Sequence, residues 1–244
     1  MRIEAFVITL RRAVERLGQV ERLRAACPVP CQVVEAVDGN ALAEEERNKV
    51  YRHQLHTPHY PFGMNSGEIG CFLSHRNVWQ RMVDANLDAA LVLEDDVELE
   101  PGFDDAFAFA CATIRHGDYL QFRVHPLRGQ RCSNSLPFTV HKPVVTGFGT
   151  VAQLVSRGAA ERLIAFTREF DRPIDTLLQM KWLTGVAPAA VLPSFVREIS
   201  QGLGGSTIQR RKTSLSQFLF RELARPVYRA RIARLSRRFS RSSQ

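Results

Sequence analysis

Apolar and polar residues follow one another along the chain in blocks whose period sets the expected elements. Ala5–Leu10 (AFVITL) is short, β-branched and aromatic, and predicts a buried strand. Ala13–Ala26 follows with Val14, Leu17, Val20 and Leu23 at spacings of three, a helical stripe. Cys31–Val37 predicts a second strand, stopped by the turn signal Asp38-Gly39. Strand, helix, strand is the opening of an α/β fold with a parallel sheet. Residues 40–66 begin polar and helix-forming, then turn loop-like around His56, Pro58, His59 and Pro61. Gly67–Ala85 predicts a helix with Ile69, Phe72, Leu73, Val78, Trp79 and Met82 on its apolar side and Ser66 as N-cap. Ala89–Leu93 (AALVL) is apolar throughout, as a strand covered on both faces should be.

After Pro101-Gly102 the stretch Phe103–Ile114 reads as alternating. Tyr119–Val124 and Val144–Val155 predict strands, Ser156 caps a helix through Phe166, Pro173–Leu183 is helical and Val191–Val196 is strand-like. Gly147 to Ala152 matches GxGxxA, but VAQLV continues as strand where a dinucleotide fingerprint turns into a helix, so that reading is rejected. A Gly/Ser-rich stretch from Gln201 leads to a basic tail. There Pro226 suits a first helical turn, and Tyr228, Ile232, Leu235 and Phe239 make an apolar stripe among arginines. The expected division is a domain over 1–210 and a basic amphipathic tail over 211–244.

The net charge of +8 belongs to that tail. Residues 210–244 hold eleven Arg or Lys against Glu222 alone, which leaves the remainder with 22 basic and 24 acidic residues. A nucleic-acid-binding body is therefore disfavoured, and no nucleic-acid partner is expected. The tail suits an anionic membrane surface, a solvated disordered tail being the other reading. No apolar run approaches the roughly 20 residues that span a bilayer. Cys27, Cys31, Cys71, Cys111 and Cys132 form no CxxC pair and point to a reduced, cytoplasmic compartment.

The chemistry is concentrated at Glu94-Asp95-Asp96, which ends the Ala89–Leu93 strand. Open α/β sheets bind ligands beyond the carboxyl ends of their strands. Carboxylates there can hold Mg²⁺ or Mn²⁺, which leave positions for phosphate oxygens. On residue types alone, a polar strand end explains the triplet as well.

A set of motifs in order resolves that ambiguity. VITLRRAVERLGQVERL at 7–23, EAVDG at 35–39, GEIGCFLSHRNVWQRMV at 67–83 and ALVLEDDVEL at 90–99 together resemble glycosyltransferase family 25. GTVAQLVSRGAAERLI at 149–164, RPIDTLL at 172–178 and Ser206-Thr207-Ile208 extend the resemblance to about residue 210. It implies a GT-A-like, Rossmann-type fold with a mostly parallel sheet, a nucleotide-sugar donor (typically UDP-galactose), inversion at the anomeric carbon, and a saccharide or glycolipid acceptor of the lipooligosaccharide type. It also implies a metal motif of Glu94, Asp95 and Asp96. By the same matching, Thr9, Leu10, Arg11, Asp38, Gly39, Ser74 and His75 line the donor pocket together with Asp95. The last histidine is His141, so either carboxylates, phosphate and water make up the expected metal shell or metal dependence is weak.

Asp175, in Pro173-Ile174-Asp175, is the candidate catalytic base, because an inverting transfer needs a carboxylate to take the acceptor proton; a helix N-terminal acid is its other reading. Gly202–Ser206 followed by Arg210 and Arg211 reads either as a flap that brings Arg210 to the diphosphate or as a linker. A peripheral enzyme on the inner face of the cytoplasmic membrane is the expected setting. Nucleotidyl transfer at the same acidic site is the competing activity, weakened because Thr9-Leu10-Arg11-Arg12 lacks the glycines of a triphosphate loop.

Overall fold

The computed structural model describes residues 1–123, 138–147, 149–200 and 215–242, the last from helix geometry alone over 215–221. The chain opens with β1 (Ile3–Thr9), a 3₁₀ turn at Val14–Arg16, α1 (Leu17–Ala26) and β2 (Cys31–Glu35). The phase of the first helix departs from expectation. Val14 and Leu17 are exposed, whereas Ala13, Arg16, Val20 and Leu23 are buried. The 3₁₀ turn winds more tightly than an α-helix and rotates the buried face by about one residue.

The polar stretch forms α2 (Glu44–Val50), followed by α3 (Ser66–Asp84). The cap of α3 is Asn65, not Ser66. Asn65 accepts from the Glu68 N–H at 2.9 Å, and Glu68 accepts from the Asn65 N–H at 2.7 Å, a capping box. β3 (Ala89–Glu94) runs on into β4 (Val97–Leu99). The stretch expected to alternate is the helix α4 (Phe103–Thr113), which buries Phe103, Ala106, Phe107 and Ala110 at helical spacing. The Phe-Ala-Phe-Ala run inside it imitates a strand.

β5 (Tyr119–Phe122) and β6 (Thr139–His141) come next. Of the strand expected over 144–155, the described residues form only β7 (Ala152–Ser156), and Ser156 caps α5 (Arg157–Phe166) as expected. The helical segment after Pro173 divides into α6 (Ile174–Leu177) and α7 (Lys181–Thr184), and the last strand-like run divides between β8 (Ala189–Leu192) and β9 (Val196–Glu198). α8 (Leu215–Ser242) begins well before Pro226 and contains it. No helix among the described residues is long and apolar enough to cross a membrane.

Among the described residues, seven strands form one mixed sheet in the order β2-β1-β3-β7-β5-β8-β6. β1 lies parallel to β2 and β3, and β5 to β8; β7 and β6 run against their neighbours. The mostly parallel α/β sheet is thus present, with β7 reversed near its middle. Period-two alternation feeds two cores. Ala5, Val7, Leu91 and Leu93 face α1 and α4, while Phe6, Ile8, Ala90 and Val92 face α3 and α5.

This topology gathers the site at one edge. Ile8 of β1 is in register with Glu94 of β3, so Thr9 and Asp95 leave the sheet side by side. The Ala36 N–H donates to the Thr9 carbonyl, which brings the Asp38-Gly39 turn to the same edge. Because β7 is antiparallel, its entry loop arrives there too, and the Glu94 N–H donates to the Val151 carbonyl at 2.8 Å.

Two glycines set how closely α3 approaches that turn. A Cβ on Gly39 would lie 1.7 Å from the Ser66 carbonyl oxygen, and one on Gly70 would lie 2.4 Å from the Val37 carbonyl oxygen. Backbone meets backbone here, so no side chain can give way. Gly70→Ala is expected to destabilise the fold by about 1–3 kcal/mol, the usual range for overpacking. A lower urea midpoint at unchanged m-value is the expected readout, and a midpoint equal to wild type would contradict this packing.

Candidate functional site

The strand-end edge opens into a cleft with two lobes. A narrow lobe of about 100 Å³ is lined by Thr9, Leu10, Arg12, Arg16, Asp38, Gly39, Ser74, His75, Glu94, Asp95 and Asp96 among others. A wider lobe of about 540 Å³ is lined by residues that include Tyr60, Phe62, Thr150, Asp175, Arg225 and Tyr228. Cys71 and Glu94 line both, so the acidic strand end stands at the seam. A volume of about 300–1,000 Å³ is usual for a small-molecule site, a range the wide lobe alone reaches.

The three carboxylates are placed differently. Asp95 is buried, with both oxygens engaged: Thr9 Oγ1 donates to Oδ2 at 2.7 Å, and Arg16 forms a short ion pair with Oδ1. Arg16 also lies 3.5 Å from Asp96 Oδ2, so one buried guanidinium spans both aspartates. This pairing explains why Arg16 turns inward at the start of α1. Asp96 Oδ1 is buried with no hydrogen-bond partner among the described residues. Burial first, and then the Glu94 charge, push the Asp96 pKa up to about 7.

Glu94 is held from α3 and from the β7 entry loop. Its Oε1 lies 3.0 Å from His75 Nε2 and 3.2 Å from Thr150 Oγ1. Gln153 Nε2 donates to the Thr150 carbonyl at 2.7 Å and faces His75 Nδ1 at 3.2 Å, while Gln153 Oε1 accepts from the Tyr119 hydroxyl. A carbonyl can only accept, so the amide is oriented and its second N–H points at Nδ1. His75 therefore carries its proton on Nε2 and donates it to Glu94.

Cys71, His75 and Glu94 have ligand atoms within 4.8 Å of one another. Burial and the surrounding carboxylates raise the Cys71 thiol well above its ordinary pKa. A protonated thiol and an imidazole whose Nε2 bears a proton are poor partners for a hard cation. Asp96 supplies the better oxygen.

Ser74 ties the turn to the helix rather than facing a ligand with a free hydroxyl. It donates to the Gly70 carbonyl at 2.7 Å and accepts from the Val37 N–H at 2.8 Å. Asp38 accepts from Arg12 Nε at 2.7 Å and from the Asn40 N–H at 3.0 Å, which hold its pKa below the ordinary value. Arg11 is exposed and does not line the narrow lobe, which Arg12 and Arg16 line instead. Arg210 lies outside the described residues.

Asp175 belongs to the wide lobe. Burial raises its pKa, Glu94 adds to the rise, and hydrogen bonds from Thr176 and from the Gly149 N–H oppose it. Behind it, the buried ion pair of Arg172 with Asp171 binds the Tyr228 hydroxyl at 2.7 Å and so fastens α8 to the domain. Tyr228 and Ile232, half of the stripe expected to meet a membrane, are buried in the core beside α3 and α6.

A sequence model of glycosyltransferase family 25 (LPS biosynthesis protein) matches residues 2–178. The glycosyltransferase 25 family member of Drosophila melanogaster is 40% identical over 101 residues, which are 40% of this chain and 16% of that protein. Procollagen galactosyltransferase 2 of Homo sapiens is 37% identical over 103 residues, 41% of this chain and 16% of that protein. The chain thus spans a small part of the curated relatives it matches. A solved glycosyltransferase involved in glycosylation of the major capsid of PBCV-1 aligns with a TM-score of 0.35 and 15% identity, over 66% of this chain and 63% of that one.

Proposed function

From the premise that this chain belongs to glycosyltransferase family 25, we propose that its cleft moves a hexose from a nucleotide sugar to a saccharide acceptor. The supporting observation is the position of the acidic strand end. Glu94 lines both lobes, which suits a donor whose diphosphate reaches into the narrow lobe and an acceptor in the wide one. Galactose from UDP-galactose is the expected hexose, in keeping with the name of the procollagen galactosyltransferase relative. Nucleotidyl transfer is not favoured by the family match.

A divalent cation, Mn²⁺ or Mg²⁺, fits Asp96. Among the described residues one buried oxygen of this carboxylate has no partner, its pKa is raised, and a nearby positive charge would relieve both. Asp96 would hold the ion, with Glu94 beside it, and the ion would stabilise charge on the departing diphosphate. Asp95 acts through Arg16, which it fixes at the lobe wall, while Arg12 adds a second cation near the phosphates. Asp175 takes the proton of the acceptor hydroxyl as the new bond forms, and inversion follows from attack on the face opposite the diphosphate.

A panel of nucleotide sugars with transfer to simple hexosides tests this reading. One UDP-hexose should be consumed far faster than the rest, and an α-configured donor should yield a β-linked product by its NMR anomeric coupling. Consumption of none would sink the proposal, and an α-linked product would remove inversion.

The acceptor is proposed to be a lipooligosaccharide-type glycolipid met at the inner face of the cytoplasmic membrane. With Tyr228 and Ile232 turned inward, attraction falls to the exposed Arg231, Arg234, Arg237 and Arg241 of α8. Each basic residue near an anionic surface contributes on the order of 1 kcal/mol. Replacing all four with Gln should release the protein from phosphatidylglycerol vesicles in a sedimentation assay; undiminished binding would contradict the role.

A further inference from the structure

The wide lobe carries charge of both signs. Glu68, Glu94 and Asp175 supply its carboxylates, and Arg225 and Arg229, both exposed on α8, supply guanidiniums at its mouth. Between them runs an aromatic wall. The Tyr60 ring meets Phe62 and Tyr228 edge-on, each at 5.4 Å between centroids. The Arg225 guanidinium lies 5.7 Å from the Phe62 ring centre, and Arg172 sits behind Tyr60 and Tyr228 at 6.0 and 5.8 Å. Arg225 is thus positioned by a wall that is itself fastened to the domain through Arg172 and Tyr228. The Arg225 ion pair with Glu222, at 4.0 Å between exposed groups, is too weak to account for its placement.

We infer that the wide lobe is an acceptor subsite for an anionic saccharide, one that offers a hydroxyl at Glu94 and Asp175 and carries a phosphate or carboxylate bound by Arg225 and Arg229. This rests on the acceptor assignment made above. Orientation follows from charge. An anionic group at Glu94 and Asp175 would face two carboxylates, whereas at the mouth it meets two guanidiniums that suit phosphate and carboxylate alike. Aromatic edges and faces along the wall accommodate the apolar faces of a pyranose ring between those ends. α8 is then a wall of the substrate site, and the division between domain and tail falls away there.

The test compares methyl hexoside, its 6-phosphate and the corresponding hexuronide as ligands of the full chain by titration calorimetry. Binding of one or both anionic ligands should be about ten-fold or more tighter than that of the neutral one, as for a charge-assisted contact. The double variant Arg225→Gln/Arg229→Gln should bring that ratio towards one, and Arg225→Lys/Arg229→Lys should retain most of it. Arg12→Gln should leave the ratio in place, because Arg12 lines the other lobe. Melting curves establish that each variant is folded. Equal affinity for neutral and anionic hexosides, or a ratio untouched by the double Gln variant, would overturn the inference. Hydrolysis of UDP-hexose by the same preparation separates the two claims. Hydrolysis with a ratio of one defeats the anionic subsite alone, whereas a clear ratio with no hydrolysis of any nucleotide sugar defeats the proposed transfer.

Discussion

Asp175→Asn is expected to lower kcat by about 10²–10⁴, the contribution typical of a positioned acid–base group. Asn keeps the shape of the side chain and its bonds with Thr176, so the wide lobe should stay formed and donor affinity should change little. The pH profile supplies a second readout. A base works in its deprotonated form, and burial with the nearby Glu94 charge raises the Asp175 pKa. At saturating metal, where Asp96 stays ionised, activity should therefore fall, as the pH drops, at a value above the ordinary carboxylate value, and that limb should disappear in the variant. Steady-state rates across pH for both proteins check this. A kcat within a few-fold of wild type would move the base elsewhere, with Glu94 and Glu68 the other carboxylates in that lobe.

Asp96→Asn carries the other large effect. The substitution keeps an oxygen but removes the charge on which cation binding depends. Metal-dependent affinity for the nucleotide sugar should drop by at least about 100-fold, beyond what loss of an indirect support usually costs. Transfer should fall with it. The fold should tolerate the change, because Asp95 and not Asp96 makes the close bonds to Thr9 and Arg16. The Asp95→Asn variant should separate from it by losing stability along with activity, since a buried Arg16 would be left with weaker partners.

Much of this site was legible in the sequence because it is local. The apolar strand before Glu94-Asp95-Asp96 and the turn at Asp38-Gly39 both end elements, and parallel strands bring such ends together by topology alone. What was not legible depends on contacts across the fold. Arg11 was expected at the pocket and Arg16 is found there, because a buried carboxylate 79 residues away decides which arginine turns inward. The signal that could have found Arg16 is its place between Ala13 and Val20, three and four residues apart, on the face that the 3₁₀ turn buries.

The wide lobe was hidden for the same reason. Tyr60 lies in a loop, Asp175 is the second residue of a four-residue helix and Arg225 belongs to α8, with nothing in their spacing to join them. Tyr228 and Ile232 show how far periodicity carries. Their spacing correctly marks an apolar stripe, but a stripe has no preference between a membrane and the flank of a protein domain. The Arg172–Asp171 pair, which engages the Tyr228 hydroxyl, selects the domain.

The most direct measurement is the thermal stabilisation of wild type and Asp96→Asn by UDP-galactose, with Mn²⁺ and with chelator. The expected result is a concentration-dependent rise in melting temperature for wild type with Mn²⁺, a much smaller rise with chelator, and almost none for Asp96→Asn in either condition. An equal, Mn²⁺-dependent rise in both proteins would contradict the assignment of the acidic strand end as the anchor for a metal-bound sugar diphosphate.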